Sequence, residues 1–410
     1  MALLRIQQNV TDDTGNVLAG ASVQVRDEAT GLLANLFEDI DGNTAKANPM
    51  TTDSAGYYFA YLNPGRYEIT ATSGALSFSW RDVRPANDVS GLYETLFSKQ
   101  DTQQVAWTKT GTGSAQTSTN LTIGVGGGVV EIPSGTSISM PSLSAGTDYA
   151  IWVAPDGTLE ADASFTVAPT TGGRRVGGFH YAPGGNASFS LNAGDGGTTP
   201  QINEYSFYDL KWRPSVADPR GLTLVGDGAF WCGIYHLAGD HLSGPPHRHG
   251  VNPARDGNPP DLVDGSGKYP DAQPMNLFES LWYHGFRTPR VEDFQLLAFG
   301  TNEAASRGSD PGTTGLPGGN TDAQFTSHWG VIQSTGVIAL WSNDSILEDS
   351  DQAVPNPSRG DRFIVSRFAD LGGRWSSGSF SGSRFVRAPA ATNSVSLLGA
   401  RGIAEHLILD

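Results

Sequence analysis

Four histidines are the side chains whose spacing first suggests chemistry. His236, His241, His247 and His249 lie close together in the sequence. Imidazole is a common metal ligand, so His247 and His249 could bind one ion together. They stand in a stretch rich in proline and glycine, which is typical of an exposed loop. The sequence therefore leaves a metal site open, and it favours an exposed histidine loop without one.

Clusters of acidic residues offer a second kind of chemistry. Segments 256–264 and 344–351 carry several carboxylates, and oxygen ligands of this kind suit calcium. Neither segment has the ligand spacing of an EF-hand loop. A structural calcium ion is therefore left open, and no other cofactor is expected.

The usual signatures of a hydrolase are missing from the sequence. The serine-containing segment 378–382 does not fit the Gly-x-Ser-x-Gly elbow between a strand and a helix. A glycan-cleaving depolymerase needs two carboxylates across a groove, and the 42 acidic residues supply candidates without a motif that selects two of them. We therefore predict a protein that is not an enzyme, with a depolymerase as the alternative.

Charge and composition exclude several classes of partner. The formal net charge of -16 repels phosphate backbones, so nucleic acid is not expected as a partner. No apolar run reaches the roughly 18 residues of a membrane helix, and the first residues lack the pattern of a signal peptide. Cys232 is the single cysteine, which excludes an internal disulfide. We expect synthesis in a cytoplasm and no membrane insertion.

Turn signals and periodicity predict three regions along the chain. Turn residues at 13–16, 41–43 and 53–56 separate strand-like runs and predict a small antiparallel β-sandwich. A second strand-rich stretch follows, and its glycine run is interpreted as a turn because no Lys-Ser/Thr and no helix follow it. From residue 174 onward, helical patterns at 275–284 and 291–298 stand among short strands. This mixture indicates an α+β region.

The first region resembles a known kind of connector domain. Motifs such as "DDTGNVLAGASVQVRDEATG" and "TTDSAGYYFAYLNPGRYEI" are similar to carboxypeptidase-regulatory or transthyretin-like domains of phage tail-fibre and baseplate proteins. The likeness covers about residues 4–95. It implies that residues 1–98 connect the chain to other tail-fibre or baseplate proteins of a virion.

The rest of the chain resembles the phage major tropism determinant family. The likeness runs from about Val105 to Asp410 and rests on "AGTDYAIWVAPDGTLEADASF", "VGGFHYAPGGNA", "INEYSFYDLKWRPSVADPRGLTLVGDGAFW" and "GGRWSSGSFSGSRF". The resemblance implies a homotrimeric receptor-binding protein at a tail-fibre tip, diversified by a diversity-generating retroelement. The N-terminal domain, the loop at 242–273 and one residue fewer between Arg384 and Gly399 depart from the family.

The resemblance and the patterns together predict a mainly β fold with an α+β C-terminal region. Two β-sandwich-like domains, a connector at 1–98 and a trimerisation domain at 102–173, are followed by a C-type-lectin domain at 174–410. That domain type is related to formylglycine-generating enzymes, whose activity needs a cysteine pair that Cys232 cannot supply. The variable region is expected at about 371–402.

Within the variable region, scaffold-like positions alternate with positions of mixed chemistry. Trp375, Arg384 and Arg401 are predicted to be scaffold. The residues between them follow no structural period, and each of their types can be encoded after replacing adenines of the Asn codon AAC. The predicted receptor-binding residues are Arg374, Ser376, Ser377, Gly378, Phe380, Phe385, Arg387, Pro389, Ala390, Val395, Leu397 and Leu398.

These residues are expected to form one exposed patch. Phe380, Phe385 and Arg387 are of the types that most often contribute binding energy at interfaces. Substituting Phe380 or Arg387 is therefore expected to change binding without much changing stability. The expected partner is a host-cell surface receptor, either protein or glycan, and the expected location is the tail-fibre tip of a virion assembled from protein made in the host cytoplasm.

Overall fold

The structure is a computed structural model of the chain, and it describes residues 3–12, 14–83, 95–315, 320–348, 365–387 and 396–409. The chain divides into two contact units, Met1–Leu96 with Gly126–Val129, and Phe97–Val125 with Val130–Asp410. Both are mainly β, and the few helices are short. Within the described ranges, no helix is long and apolar enough to cross a membrane.

The first unit consists of two four-stranded antiparallel sheets around one core. The sheet orders are β1-β6-β3-β4 and β5-β2-β7-β8. Alternate residues of the strand Tyr57–Leu62 are buried, and they pack with Ile6, Val23 and Ile69. The eight strands are β1 (Leu4–Asn9), β2 (Ser22–Asp27), β3 (Leu36–Phe37), β4 (Ala45–Lys46), β5 (Met50–Thr51), β6 (Tyr57–Leu62), β7 (Tyr67–Ser73) and β8 (Leu76–Val83).

The chain beyond Leu96 begins with short strands around an aromatic and aliphatic core, and these strands belong to the second unit except for Gly128 and Val129. The strands are β9 (Phe97–Lys99), β10 (Trp107–Gly111), β11 (Ser114–Thr117), β12 (Leu121–Val125), β13 (Gly128–Ile132), β14 (Thr147–Val153), β15 (Leu159–Asp162), β16 (Arg174–Ala182), β17 (Gln201–Ile202) and β18 (Tyr208–Asp209). They form the sheets β13-β12-β9, β10-β11 and β15-β14-β16, with β17 and β18 both paired to β16. The glycine run lies at the β12–β13 turn, where Gly126 and Gly127 have φ of 59° and 78°.

Two predicted domain boundaries need correction. Strand β16 pairs with β14 from Thr147↔Tyr181 to Val153↔Arg174, so a boundary after residue 173 would cut through one sheet. A connector that ends at residue 98 would remove most of β9, whose Phe97 is buried in the core of the second unit. Strand pairing between distant segments determines these boundaries, and turn signals do not reveal it.

The remainder of the second unit is an α+β arrangement with three small sheets. Sheet orders are β24-β23-β22-β25, β20-β21-β26 and β19-β27. The elements are a 3-10 turn (Glu204–Ser206), β19 (Trp212–Pro214), β20 (Leu222–Val225), β21 (Phe230–Gly233), α1 (Pro274–Tyr283), α2 (Val291–Leu297), α3 (Asn320–Ala323), β22 (Ala339–Glu348), β23 (Val365–Leu371), a second 3-10 turn (Gly378–Phe380), β24 (Val386–Arg387), β25 (Leu398–Gly399), β26 (Ile403–Ala404) and β27 (His406–Ile408).

The two longer helices, α1 and α2, each bury apolar residues in this region. Helix α1 begins with a proline in its first turn and buries Leu277, Phe278 and Leu281 against Trp231 and Trp341. Helix α2 is held at its first turn by Asp293, which accepts a hydrogen bond from the Arg290 backbone N–H at 2.9 Å. Both helices agree with the predicted ranges to within one residue.

Candidate functional site

The described part of the predicted variable region lies around one four-stranded sheet. Strand β24, with Arg387, pairs with β23, and β25, with Leu398, pairs with β22. The strand order β24-β23-β22-β25 therefore places these two strands at opposite edges, roughly 14 Å apart for three strand spacings. The variable segment thus leaves the sheet at one edge and returns at the other.

The loop after β23 is held by neighbouring backbone and by fixed polar groups. The backbone N–H of Ala304 donates to the Ser381 carbonyl at 2.9 Å, and the Trp375 N–H donates to the Val337 carbonyl at 2.9 Å. The Ser306 hydroxyl accepts from the Gly378 N–H at 3.0 Å, and the Glu303 carboxylate accepts from the Ser383 N–H. None of these four bonds uses a predicted variable side chain, so these anchors stay when those side chains change. One further bond does depend on the variable set, because the Ser377 hydroxyl accepts from the Arg374 backbone N–H at 3.1 Å.

Close packing also requires glycine at the start of this loop. Gly372 has φ of 86°, and a Cβ there would lie 2.6 Å from the Phe294 ring. Gly373 has φ of 77°, and a Cβ there would lie 2.5 Å from the Ser381 hydroxyl. A side chain at either position would be strained and would clash, so the two glycines fix where the loop begins.

The structure places the predicted receptor-binding residues in different environments. Phe380 is 75% exposed at the end of the second 3-10 turn. The other exposed members are Ser376, Gly378 and Arg387, and the partly buried members are Arg374, Ser377, Phe385 and Leu397. Pro389, Ala390 and Val395 lie outside the described residues. The exposed and partly buried members stand on the loop and on both edges of the sheet.

Leu398 requires a correction, because it is a core residue. Its side chain is only 1% exposed and packs in a cluster with Trp341 and Leu277. It belongs to β25 and pairs with Ala339 in parallel register. A single apolar residue in an irregular segment gives no indication of this pairing, which involves a strand about sixty residues earlier in the sequence.

The three predicted scaffold residues differ in their roles. Arg401 is fully buried, and its guanidinium donates to the carbonyls of Gly233, Ile234 and Ile332 at 2.7, 2.6 and 2.8 Å. Burial lowers the pKa of Arg401 to about 10, so it stays charged at neutral pH. Trp375 is partly buried, packing against the cluster of Phe325, Val337 and Ile338.

Arg384 requires a correction because its side chain is exposed. The turn around it is held by backbone groups, with the Phe385 N–H donating to the Gly382 carbonyl at 3.1 Å and the Ser383 N–H donating to Glu303. Backbone hydrogen bonds therefore hold this turn, a role predicted from the sequence for the Arg384 side chain.

A buried carboxylate that was not identified from the sequence contacts two of the predicted receptor-binding residues. Asp370 in β23 is fully buried, and its Oδ2 atom accepts from Arg387 Nη2 at 2.6 Å and Nε at 3.1 Å, and from Arg374 Nη2 at 3.3 Å. Its Oδ1 atom has no hydrogen-bond partner among the described residues. Burial raises the pKa of Asp370 to about 6, although the nearby Arg387 lowers it.

This pair changes the expectation for Arg387. Its guanidinium compensates a buried charge, so its removal should lower stability as well as alter the surface. The expectation that substituting Arg387 leaves stability nearly unchanged is therefore corrected. The only sequence signal was an acid just before the variable segment, and nothing local indicates which arginines reach it.

The histidine segment also requires a correction, because three of the four side chains are buried. His236, His241 and His247 have no exposed surface, and each ring lies within hydrogen-bond distance of a backbone carbonyl. His247 lies with Nδ1 3.0 Å from the Tyr235 carbonyl and accepts from the Gly402 N–H at 3.2 Å. Irregular chain has backbone groups without ladder partners, and these rings satisfy some of them. The segment is a packed loop instead of an exposed one.

No metal site is gathered in the part of the chain that the structure describes. His241 Nδ1 lies 2.9 Å from His284 Nε2, which is a hydrogen-bonded ring pair. No group of three or more histidine, cysteine or acidic side chains stands in a metal-holding arrangement among the described residues. Much of the acid-rich segment 344–351 lies outside them.

The buried histidines predict loss of stability in mild acid. Burial lowers the pKa of His247 to about 3 and that of His284 to about 4, so the folded state holds both neutral. A histidine whose pKa is lower in the folded state than in the unfolded state stabilises the fold above about pH 6.5. As the pH falls from there toward the folded-state pKa, this contribution is lost at about 1.4 kcal/mol of unfolding free energy per pH unit for each such histidine. We expect the free energy of unfolding, measured with denaturant, to fall between pH 6.5 and pH 4.

Substituting His284, the less buried ring of the His241–His284 pair, tests this expectation. Asp370 acts in the opposite direction, because its raised pKa gives stability that is lost as the pH rises through about 6. His284→Gln should flatten the fall below pH 6.5, since one ionisable ring is removed. If this variant loses stability with acid as steeply as the parent, the ring pair does not cause the effect.

Comparison with known proteins assigns the family. A profile described as the Mtd second domain matches residues 105–209. The chain is 43% identical over 335 residues to the tail fiber receptor-binding protein of Bordetella phage BPP-1, covering 78% of this chain and 87% of that protein. It also matches the solved Major Tropism Determinant M1 variant at 39% identity and TM-score 0.70, over 84% of this chain and 93% of that one. It matches the P3c variant at 39% identity and TM-score 0.71, over 83% of this chain and 93% of that one.

The chain belongs to the major tropism determinant family. The family profile also supports moving the boundary between the second and third regions beyond residue 173. In this family member, the profile ends at Asp209, which is also the last residue of β18. The second domain therefore includes β16, in agreement with its pairing to β14.

The Asp209 carboxylate in this major tropism determinant family member also ties β9 into the second domain. Lys99 donates to it at 2.9 Å, both side chains are fully buried, and the Ala106 N–H donates to the same oxygen at 2.8 Å. A buried ion pair that loses one partner is strongly destabilising. A truncation that keeps the second domain folded must therefore retain the chain from Phe97 onward.

Proposed function

We propose that this chain is a tropism determinant at the tip of a phage tail fibre, which adheres to a receptor on the host-cell surface through its variable surface. The named relatives include a tail fiber receptor-binding protein. The proposal rests on the exposure of Phe380 on a loop that is anchored partly by the Ser306 hydroxyl and the Glu303 carboxylate, which lie outside the variable set. Such a loop can change its side chains without losing its fold.

The arrangement favours adhesion over catalysis. An exposed aromatic ring contributes apolar area and buries it only when a partner covers it. Several copies of a weak site on one virion bind a cell surface far more tightly than one copy does. Among the described residues, no observation favours the alternative of a glycan-cleaving depolymerase. A structural calcium ion stays a prediction, and no other cofactor is expected.

The C-terminal region is proposed to be a C-type-lectin domain whose variable residues are rewritten by a diversity-generating retroelement. The mixed residue types at the twelve predicted variable positions, each encodable from AAC by adenine replacement, support this. The Gly372 and Gly373 positions and the bonds from Glu303 and Ser306 supply a frame that tolerates such changes. We expect the DNA near this gene to contain a template repeat of the variable segment with Asn codons at the variable positions.

We propose a homotrimer whose contacts include the second domain. Phe189 and Leu191 are among the large apolar side chains most exposed in the described chain, and Phe189 lies 4.8 Å from the Phe299 ring and 5.0 Å from His328. An exposed apolar cluster of this kind on a soluble protein often marks an interface. Identical chains with such a cluster associate with closed symmetry.

A charge at the cluster should separate the protomers. We expect Phe189→Asp to convert the trimer to monomer at micromolar concentration, as measured by light scattering, because it buries an unpaired carboxylate at the interface. Leu32→Asp is the matched control, since Leu32 is also 69% exposed but lies in the first unit. A stable trimer of Phe189→Asp would contradict this placement, and a monomeric parent would contradict the trimer itself.

The first unit is proposed to attach the protein to tail-fibre or baseplate proteins of the virion. We expect a chain without residues 1–96 to stay folded and to bind cells, but not to join the virion, because β9 and the Lys99–Asp209 pair are retained. Cell binding by flow cytometry and incorporation into particles are the two measurements. A folded truncated chain that no longer binds the cells bound by the parent would show that the receptor site lies in the first unit.

A further inference from the structure

A buried acid stands beneath the surface through which the receptor is proposed to bind. Asp370 lies one residue before the predicted variable region, so it stays the same while positions 374 and 387 change. Its carboxylate is completely enclosed in the sheet, where Trp341 is its partner residue on β22 and Arg387 its partner residue on β24. Both hydrogen-bonding arginines belong to the predicted receptor-binding set.

The geometry of the Arg387 contact is directional. Nε and Nη2 form the side edge of the guanidinium, and both donate to Asp370 Oδ2, at 3.1 and 2.6 Å. A planar guanidinium held through two donors has a fixed orientation, unlike a lysine ammonium on a flexible stem. About half of the Arg387 side chain remains accessible. Nη1 takes no part in the contact with Asp370, which leaves that end of the fork as the one that a partner could bind.

We propose that Asp370 is a positioning residue of the receptor site: it fixes the direction of the arginine at position 387 and so determines which receptor groups that arginine can bind. This inference rests on the proposed function. Because the side edge and much of the charge of Arg387 are already satisfied, the site should favour neutral oxygen acceptors, such as peptide carbonyls or sugar hydroxyls. A receptor carboxylate would have to compete with Asp370 for the side edge.

Because burying the Asp370 carboxylate costs stability, an experiment can distinguish positioning of Arg387 from stabilisation of the fold. Burial raises the pKa of this carboxyl, which means that its charged form disfavours folding near neutral pH. A residue kept only for stability would be better replaced by a neutral isostere. Asp370→Asn should therefore not lower the melting temperature at pH 7.5, while it should weaken the hold on Arg387.

The test is a double-mutant cycle in the full chain, with Asp370→Asn, Arg387→Ala and the double variant. Binding is titrated on the cells that the parent protein binds, and melting is followed at pH 7.5. We expect each single variant to bind about tenfold more weakly, and the double variant to bind no more weakly than Arg387→Ala. Arg387→Ala alone should melt lowest, because it leaves the buried carboxylate uncompensated. Asp264→Asn, in an exposed loop, is the control for the acid-to-amide change.

Arg387→Lys keeps the charge and removes the planar fork, so it tests the same inference if Asp370→Asn does not fold. We expect it to bind as weakly as Arg387→Ala. If Asp370→Asn folds and binds like the parent while Arg387→Ala is weaker, or if Arg387→Lys binds like the parent, Asp370 is not a positioning residue and the proposed function stands. If all variants, including those at Phe380, bind like the parent, the proposed function fails instead.

Discussion

Arg401→Ala should unfold the C-terminal region at a much lower temperature than the parent. The guanidinium supplies hydrogen bonds to three carbonyls that lie in the interior, at 2.7, 2.6 and 2.8 Å. Removal leaves these acceptors without donors and opens a cavity, which costs about 3 kcal/mol or more. At about 2–4 °C per kcal/mol for a large domain, the melting temperature should fall by roughly 6–12 °C.

The matched control for this effect is Arg384→Ala, which makes the same substitution at an exposed position in the same region. It should melt within about 2 °C of the parent, since exposed substitutions usually change stability by less than about 0.5 kcal/mol. Calorimetry on both variants is the measurement. Equal melting temperatures for the two variants would show that the three carbonyls find other donors.

Local patterns explain which parts of the fold could be predicted. The helices at Pro274–Tyr283 and Val291–Leu297 follow apolar spacing over neighbouring residues, and the turns of the first unit follow from Asp, Asn and Gly chemistry. For example, Asp12 accepts from the Thr14 and Asn16 backbone N–H groups at 2.9 Å in each case. Each of these interactions is complete within a few residues.

Non-local contacts explain what the sequence did not reveal. Leu398 is buried because it pairs with Ala339, and the segment 174–182 belongs to the second domain because it pairs with 147–153. His247 is buried because it fills space beside Gly402 and the Tyr235 carbonyl. In each case the residue type fits several environments, and only a partner far along the chain determines which one occurs.

In the candidate site, too, some residues could be predicted from the local sequence, whereas others depend on a partner elsewhere in the chain. The exposure of Phe380 agrees with its interpretation as a binding residue, because a phenyl ring in a glycine- and serine-rich loop has few neighbours to pack against. Arg374 and Arg387 have the residue type expected at an interface, but both are tied to Asp370. The type of a side chain is therefore a weaker guide to binding than the combination of its type and its partners.

Phe380→Ala should reduce cell binding strongly and leave the fold unchanged. The ring is 75% exposed, and the turn that carries it is held by its backbone, with the Phe380 N–H donating to the Ser377 carbonyl at 3.1 Å. Truncating a central aromatic residue of an interface commonly costs about 2 kcal/mol, which is roughly thirtyfold in the affinity of one site. With several copies bound to one cell, the loss multiplies.

Paired measurements on Phe380→Ala separate binding from stability. Its melting temperature should stay within about 2 °C of the parent, because an exposed side chain contributes little to folding. Leu32→Ala, which removes an exposed apolar side chain from the first unit, should change neither melting nor cell binding. If Phe380→Ala melts early, the ring packs against residues of its own chain, and a loss of binding would then reflect a disturbed loop. If it melts and binds like the parent, Phe380 is not a receptor-binding residue, and the variants at Arg387 then decide whether this loop contacts the receptor at all.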